Sequence, residues 1–287
     1  MMLRAGLALF WLAHLLPVPV LAALGEAIGR LAWRLPTERR QVVRANLALC
    51  FPERSADARE RLGREHFAAF ARSALELGLA WWSRPSRLAR VVRIEGEHWL
   101  DELAGRPLIV LTPHFVGLEI AAQRMASGRR AVAYYSHQKN RAFDAFLRGR
   151  RNRFGTVRMV SRQQGIRPVV RAIREGLPLY YLPDMDLGER DSIFVPFFGQ
   201  PAATVPALGR LVRLTGATVL PCVTEQQPGG GYVVRLMPPL EGLGHDDVAD
   251  TLRMNAFIEE QVRLRPAQYL WLHKRFKTRP PGASPVY

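Results

Sequence analysis

The apolar positions of this chain fall into short strand-like runs that alternate with segments of helical period. The strand-like runs are four to six residues long, rich in branched side chains and bounded by Gly, Pro or polar residues, as in buried strands. Such alternation predicts an α/β fold with a mixed central sheet flanked by helices. The predicted strands are 91–94, 108–111, 131–135, 157–160, 179–182, 219–223 and 232–237. The predicted helices are 38–50, 56–82 with Ser55 as N-cap, one from about 117, 141–151, 167–174, one capped by Thr204 that ends near 216, and 246–264.

The amino end has a different pattern, because residues 5–24 carry no acidic or strongly basic side chain. About 20 apolar residues suffice to cross a bilayer. Pro17 and Pro19 interrupt this stretch and would kink or break a helix. Three structures fit: a cleaved signal peptide, a spanning helix, and a hairpin or interfacial helix bent at the prolines.

The charges that follow this stretch favour a retained anchor. Arginines at 30, 34, 39, 40 and 44 surround Trp33. Basic residues beside a membrane segment mark its cytoplasmic side, and Trp prefers the interface. We therefore expect residues 1–35 to anchor the chain to a bacterial inner membrane, with a domain of residues 36–287 in the cytoplasm. The alternative is a buried amino-terminal core helix.

The chain of 287 residues is strongly basic, with 41 Lys and Arg against 25 Asp and Glu and a net charge of +16. Such a charge implies attraction to an anionic partner: a phospholipid surface, a phosphorylated substrate, an acidic protein or nucleic acid. The two cysteines, Cys50 and Cys222, lie far apart without metal-ligand spacing. They favour a reducing compartment without a disulfide framework, and no metal site is predicted.

The strongest candidate for chemistry lies where the run 108–111 ends. Thr112 and Pro113 follow this run, then His114, and Glu119 opens the next helical segment after Gly117. Residues five apart on one helix point about 140° apart. At a strand-to-helix corner they can meet, so Glu119 could accept a hydrogen bond from His114 and leave the second ring nitrogen as a general base. The alternative is a solvated strand-end His beside an unrelated first-turn Glu, because His-x4-Glu is an unspecific pattern by itself.

Three further groups of residues invite a functional interpretation. Arg148, Arg150, Arg151 and Arg153 cluster at a helix end, where they could contact a phosphate or an oxyanion, or simply complement the helix dipole. Asp184 and Asp186 follow a strand and could position a substrate, but two carboxylates are too few to predict a metal. Residues 194–199, which include Phe198 and Gly199, read as a buried apolar turn or as a wall of an acyl-chain pocket.

Taken together, these residues resemble the late acyltransferases of lipid A biosynthesis, the lauroyl and myristoyl transferases of the Gram-negative inner membrane. The likeness extends from the amino-terminal segment to the last residues. Its most specific part is residues 269–280, Tyr-Leu-Trp-Leu-His-Lys-Arg-Phe-Lys-Thr-Arg-Pro. The other motifs that carry it are 46–53, 114–119, 183–186 and 194–198.

The resemblance implies an α/β, glycerolipid-acyltransferase-like fold preceded by an amino-terminal membrane anchor. It also implies transfer of a fatty acyl chain from acyl carrier protein to a hydroxyl on a 3-hydroxyacyl chain of a lipid A precursor. It implies no cofactor and no nucleic acid. His114 and Glu119 match the family's catalytic pair, and a family arginine falls at Arg151 or, second in fit, Arg153. The residues expected to bind substrate are Thr112, Gly117, Arg153, Asp184, Asp186, Phe198 and Gly199.

Two other functions remain open at this point. A glycerophospholipid acyltransferase would share a His/acid pair, usually with Asp as the acid, and would carry a Phe-Pro-Glu-Gly-Thr-type phosphate motif. Residues 182–186 here read Leu-Pro-Asp-Met-Asp instead. A membrane-tethered nucleic-acid or lipid-binding protein would exploit the positive charge without turnover, but the sequence shows no recognition helix or stacking motif for it.

Overall fold

A seven-stranded, mostly parallel sheet flanked by helices forms the centre of the computed structural model, which describes residues 2–287. The predicted α/β class with a mixed central sheet is thus confirmed. The strands are β1 (Val92–Glu95), β2 (Leu108–Leu111), β3 (Ala131–Tyr135), β4 (Val157–Ser161), β5 (Leu179–Tyr181), β6 (Ile193–Phe197), β7 (Gln200–Thr204), β8 (Thr218–Gln226) and β9 (Tyr232–Leu236).

Helices cover both ends of the chain and the connections between the strands. The first six are α1 (Met2–Ala13), α2 (Val18–Ala32), α3 (Glu38–Cys50), α4 (Ala56–Leu75), α5 (Leu77–Trp82) and α6 (Pro85–Val91). The others are α7 (His98–Glu102), α8 (Leu118–Ala126), α9 (Arg141–Arg151), α10 (Arg167–Arg174), α11 (Ala207–Thr215) and α12 (Asp247–Leu264), with short 3₁₀ turns at Arg162–Gln164 and Pro266–Gln268.

The strand order of the sheet is β1-β9-β8-β2-β5-β3-β4. Strands β8, β2, β5, β3 and β4 are parallel, and β9 is antiparallel to β8 and parallel to β1. All four residues of β2 are buried, as expected for a strand covered by helices on both faces. The carboxyl ends of the five parallel strands therefore share one edge, where ligand sites of open α/β sheets form.

The helix expected over residues 56–82 is two helices, which corrects that prediction. Ser55 is the N-cap, as expected, and its side chain accepts from the Ala58 N–H. The break falls at Glu76, whose side chain is buried against Arg72 and the Tyr232 hydroxyl. Arg72 also donates to two carbonyls of the β8–β9 turn. This buried polar cluster fixes the chain at the point where the helix direction changes.

A second correction concerns the helix cap expected at Thr204. Residues 193–204 form a β-hairpin of β6 and β7, and the expected buried apolar turn is the connection between its strands. Phe198 and Gly199 turn the chain with positive φ angles of 51° and 72°. Thr204 ends β7, and its hydroxyl bonds to Ala202 and Arg275. The next helix begins only after Pro206, so Thr204 does not cap it.

The amino-terminal segment is two helices joined by an elbow at residues 14–17. Pro17 is the N-cap of α2, so the expected break at the prolines is confirmed. Within residues 2–287, no helix combines the length and apolarity that crossing a bilayer requires. Both helices nevertheless expose large apolar side chains. These are Leu9, Trp11, Leu12, Val20, Leu24, Ile28 and Leu31, with Leu15 at the elbow and Leu35 just after α2.

Helix α2 packs directly against α4 through glycines. A Cβ added at Gly29 would lie 2.2 Å from the Phe67 carbonyl oxygen, and one at Gly25 would lie 2.4 Å from the Arg72 Cα. Both neighbours are backbone atoms of α4, which cannot move aside as a flexible side chain can. The close approach of the two helices therefore requires glycine at these positions.

We predict that Gly29→Ala destabilises the protein by about 1–3 kcal/mol, because overpacking forces the two helices apart. Gly149→Ala is the matched control, since Gly149 lies in α9 and an added Cβ there meets nothing within 4 Å. The control should be neutral or more stable by up to about 1 kcal/mol. Urea unfolding of both variants measures the difference, and equal midpoints would contradict the proposed close packing.

Candidate active site

His114 and Asp184 meet because the strands that precede them are neighbours in the sheet. His114 follows β2 and Asp184 follows β5, and these strands pair in parallel with Leu111 beside Tyr181. The register continues past the strands, where the Thr112 N–H donates to the Tyr181 carbonyl. Both loops therefore leave the sheet side by side at its carboxyl edge.

The Asp184 carboxylate holds His114 through both of its oxygens. The His114 main-chain N–H donates to Oδ2 at 2.9 Å, and the ring Nδ1 lies 2.7 Å from Oδ1. Burial of Asp184 opposes its ionisation, but the neighbouring His114 outweighs this and holds the pKa of the carboxyl below its usual value. An ionised Asp184 fixes the proton of the ring on Nδ1, which leaves Nε2 with a free lone pair.

Glu119 forms a different pair, with Arg151. The guanidinium donates from Nη2 to Oε2 at 2.8 Å and from Nε to both carboxylate oxygens at 3.1–3.2 Å. Burial lowers the pKa of Arg151, but the Glu119 carboxylate reverses this effect and raises it overall. The pair joins the first turn of α8 to the last turn of α9.

The prediction of a hydrogen bond between His114 and Glu119 is therefore wrong for this structure. Among residues 2–287, Asp184 is the acidic residue whose carboxylate lies within 4.0 Å of the His114 ring nitrogens. The physical reason is the turn at Gly117, whose φ of 82° starts α8 and directs its first turn toward α9. Sequence proximity favours Glu119 as the partner of His114, but the pairing of β2 with β5 brings Asp184 closer.

A cavity of about 310 Å³ opens beside His114 at the same edge of the sheet. Its walls come from the ends of β3, β4 and β5 and from α11, and most of them are apolar or aromatic. This size and lining are typical of a small-molecule site. The lining residues are His114, Tyr134, Ser136, Arg162, Ile166, Leu179, Tyr180, Tyr181, Leu182, Pro183, Met185, Leu187, Val205, Ala207 and Leu211.

A larger apolar groove of about 860 Å³ lies between α2, α4 and the terminal segment of residues 270–273. Met185 lines both this groove and the His114 cavity. Leu270 lines the groove as well, and its main-chain N–H donates to the His114 carbonyl at 2.9 Å. His114 thus lies close to two apolar spaces.

Asp186 ties the terminal segment to this region. Its carboxylate accepts from the N–H and the hydroxyl of Thr278 at 2.7 and 2.8 Å, and from the Gly188 N–H. Its own N–H donates to His273 Nε2 at 2.8 Å. Burial and the nearby Arg275 lower the pKa of His273 to about 4, so this ring stays neutral and can accept that bond at neutral pH.

Two other expected residues serve the strand-to-helix corner. Thr112 is buried, and its hydroxyl donates to the Val110 carbonyl. Gly117 donates its N–H to the Ser73 hydroxyl, and a Cβ there would collide with the Tyr232 ring at 2.1 Å. Neither residue lines the His114 cavity in the described part of the chain.

The remaining expected residues also lie away from the cavity walls. Arg153 donates to the carbonyls of Trp81 and Ser83 and so fastens α9 to the end of α5. Phe198 packs edge-to-face against Phe51 in the core, and its N–H donates to Glu259. Gly199 follows it in the turn of the hairpin.

The sequence pattern assigns no individual role to several residues that shape the site. Tyr134, Tyr181 and Leu211 line the cavity from three different elements, and Ser73 supports the corner at Gly117. His273 could be noticed in the sequence because it lies in the terminal motif, but its hydrogen bond to Asp186 could not be predicted, because it depends on the fold. No spacing along the chain indicates these contacts.

Comparison with known proteins gives a consistent result. A profile of the family described as "Bacterial lipid A biosynthesis acyltransferase" matches residues 1–278. The chain is 34% identical to the Lipid A biosynthesis lauroyltransferase of Escherichia coli (strain K12), over 98% of this chain and 93% of the relative. It is 34% identical to the palmitoleoyltransferase of the same strain over 98% and 93%, and 36% identical to the myristoyltransferase over 94% and 83%. The chain therefore belongs to the bacterial lipid A biosynthesis acyltransferase family.

Proposed function

We propose that this protein carries out secondary acylation of lipid A: it moves a fatty acyl chain from acyl carrier protein to the hydroxyl of a 3-hydroxyacyl chain on a lipid A precursor. The observation that carries the proposal is His114, whose Nδ1 is held by Asp184 and whose side chain faces an apolar cavity. Acyl transfer to an alcohol needs such a base next to a site for an alkyl chain.

The reaction proceeds in one transfer step. His114 Nε2 accepts the proton of the acceptor hydroxyl as its oxygen attacks the thioester carbonyl. The C–O bond forms and the C–S bond breaks, and the leaving thiolate of the carrier protein takes the proton from the imidazolium and departs as the thiol. Asp184 stabilises that imidazolium and keeps its ring in place, as the acid of a catalytic triad does. No enzyme nucleophile is required.

Glu119 and Arg151 act in this mechanism as a unit. Glu119 holds the Nε and Nη2 groups of Arg151, and Nη1 has no hydrogen-bond partner over residues 2–287. A guanidinium held on one side can offer its remaining N–H groups to an oxyanion or a phosphate. The catalytic role that the sequence suggests for Glu119 is then to position Arg151 rather than to orient His114.

The amino-terminal helices supply the membrane contact under this proposal. Nine large apolar side chains of residues 9–35 are exposed, and arginines follow them along the chain. An interfacial, bent pair of helices fits these features. We therefore assign residues 1–35 to contact with the bacterial inner membrane and residues 36–287 to catalysis on its cytoplasmic side, where the acyl carrier protein and the acceptor meet.

We predict that His114→Ala lowers kcat by about 10²–10⁴-fold or more, because the general base is lost. His137→Ala is the control, since His137 is an exposed histidine that does not line the cavity. The measurement is acyl transfer in vitro, with mass spectrometry of lipid A from cells that carry each variant. A secondary acyl chain at wild-type level in the His114→Ala cells contradicts the assignment.

For Asp184→Asn we expect a fall in kcat of about 10²–10⁴-fold with little change in KM. An amide has one acceptor oxygen for the two N–H groups of His114, and it has no charge to stabilise the imidazolium. Asp186→Asn is the control, because Asp186 bonds to Thr278 and not to His114. Equal kcat losses in the two variants would indicate a structural effect alone.

The same variant tests the charge of Asp184 through stability. A carboxyl with a depressed pKa stabilises the native state above its unfolded-state value of about 3.9, and this contribution is lost as the pH falls through the native pKa. The difference in unfolding free energy between wild type and Asp184→Asn should therefore be largest at pH 6–7 and decrease below pH about 4. Denaturant unfolding across this range measures it, and a constant gap would mean that Asp184 is neutral.

The unit formed by Glu119 and Arg151 predicts non-additive kinetics. Glu119→Gln should lower kcat in the wild-type background and have no further effect in an Arg151→Met background, because the guanidinium that Glu119 positions is then absent. The coupling in unfolding free energy should be about 0.5–1.5 kcal/mol, since the pair is partly exposed. Multiplicative losses in kcat would instead mean that Glu119 acts on His114 independently.

A further inference from the structure

Four exposed cations lie at the carboxyl ends of β3 and β4, beside the mouth of the His114 cavity. Lys139 and Arg141 follow β3, and Arg162 and Arg167 follow β4. Because Tyr135 pairs with Ser161 at the ends of these strands, the two loops leave the sheet together. We call these four residues the basic rim.

The basic rim adjoins the entrance of the cavity. Arg162 and Ile166 line the cavity on one side and Leu187 on another, and all three are exposed to solvent as well. Ile166 is 41% and Leu187 51% exposed. A partner that reaches the cavity by this route therefore meets both positive charge and apolar side chains.

The charge of the basic rim is not neutralised within the described chain. None of its four residues takes part in an ion pair formed by residues 2–287, whereas Arg158 and Arg171 nearby both pair with Glu175. Asp144 accepts from the Gln138 N–H and His137, which lower its pKa. On the Leu187 side, Glu189, Arg190 and Asp191 together leave one negative charge.

Two of these cations lie at positions where a positive charge does not stabilise the fold. Arg141 is the first residue of α9 and Arg167 the first residue of α10. The helix dipole disfavours positive charge at this end of a helix and favours it at the other. Neither side chain has a hydrogen-bond partner over residues 2–287 that would compensate. Binding of an anionic partner would account for arginine at these two positions, whereas the stability of the fold does not.

We propose that the basic rim is the docking surface for the acidic carrier protein that delivers the acyl thioester, an inference that rests on the function proposed above. Four solvated cations spread over two loops suit a convex anionic protein surface and speed its association. A lipid phosphate would instead call for a few convergent, partly buried donors.

The position of the basic rim agrees with a partner that comes from solution. The exposed apolar helices α1 and α2 join at an elbow, and Val18, the first residue of α2 after it, lies against Gly230 in the turn between β8 and β9. These strands lie toward the β1 end of the sheet, whereas β3 and β4 form the other end. The elbow of the apolar helices and the basic rim thus lie toward opposite ends of the sheet.

The test is the double variant Arg141→Glu/Arg167→Glu, compared with Arg130→Glu. Glutamate at a first helical position is favoured by the dipole, so the helices should persist. Arg130 is exposed and precedes the first residue of β3, at the opposite edge of the sheet from the rim. Each protein is assayed with two donors, acyl-acyl carrier protein and the same acyl chain on pantetheine.

We expect the rim variant to lose about 10–100-fold in kcat/KM with the carrier-protein donor, since a favourable field accelerates association by about this factor. Its kcat/KM with acyl-pantetheine should stay within about twofold of wild type, and Arg130→Glu should retain both activities. Added salt should lower the wild-type value toward that of the rim variant.

Other outcomes overturn the inference. Equal behaviour of the rim variant and Arg130→Glu with the carrier-protein donor excludes docking at this surface. A raised KM for the lipid acceptor with both donors would assign the rim to lipid phosphates instead. If the wild type transfers from neither donor, the proposed function itself fails, and this result is distinct from a wild type that transfers from both donors without an effect of the rim.

Discussion

The Asp184 carboxylate shared between the main chain and the ring of His114 is the interaction on which the site depends. A buried carboxylate is costly unless its oxygens are satisfied, and here the two N–H groups of His114 satisfy one oxygen each. The arrangement works only if β2 and β5 are neighbours and parallel, since only then do their following loops start side by side. The geometry of the proposed base is thus a direct consequence of strand order.

The segment 184–186 links this interaction to the rest of the molecule. Its first residue holds His114, its last residue holds Thr278, and Met185 between them lines both the cavity and the larger groove. The Leu270 N–H donates to the His114 carbonyl from a third direction. The terminal motif, residues 269–280, therefore helps to hold the proposed base in place, although it lies more than 150 residues after His114 in the sequence.

The local elements could be predicted from sequence because their signals are local. The bounds of β2, β3, α9 and α10 follow from apolar runs, N-caps and glycines within a few residues. The partner of His114 could not be predicted in this way. Glu119 is near His114 in sequence, whereas Asp184 is brought near only by the pairing of β2 with β5. The inward turn of Glu76, which divides α4 from α5, likewise depends on Tyr232, a residue of a distant strand.

The arginines of this chain fall into groups according to the atoms that they contact. These groups show how a protein with a net charge of +16 can use some arginines for the fold and leave others for function. Arg87, Arg153 and Arg275 donate to main-chain carbonyls and hold segments together. At the last turn of α9 the cations complement the helix dipole, and one of them, Arg151, pairs with Glu119. The first residue of the same helix, Arg141, has no carbonyl or carboxylate partner among residues 2–287, and the helix dipole disfavours its charge. The anionic partner proposed above accounts for a cation that the described fold does not stabilise, beside the entrance of the cavity.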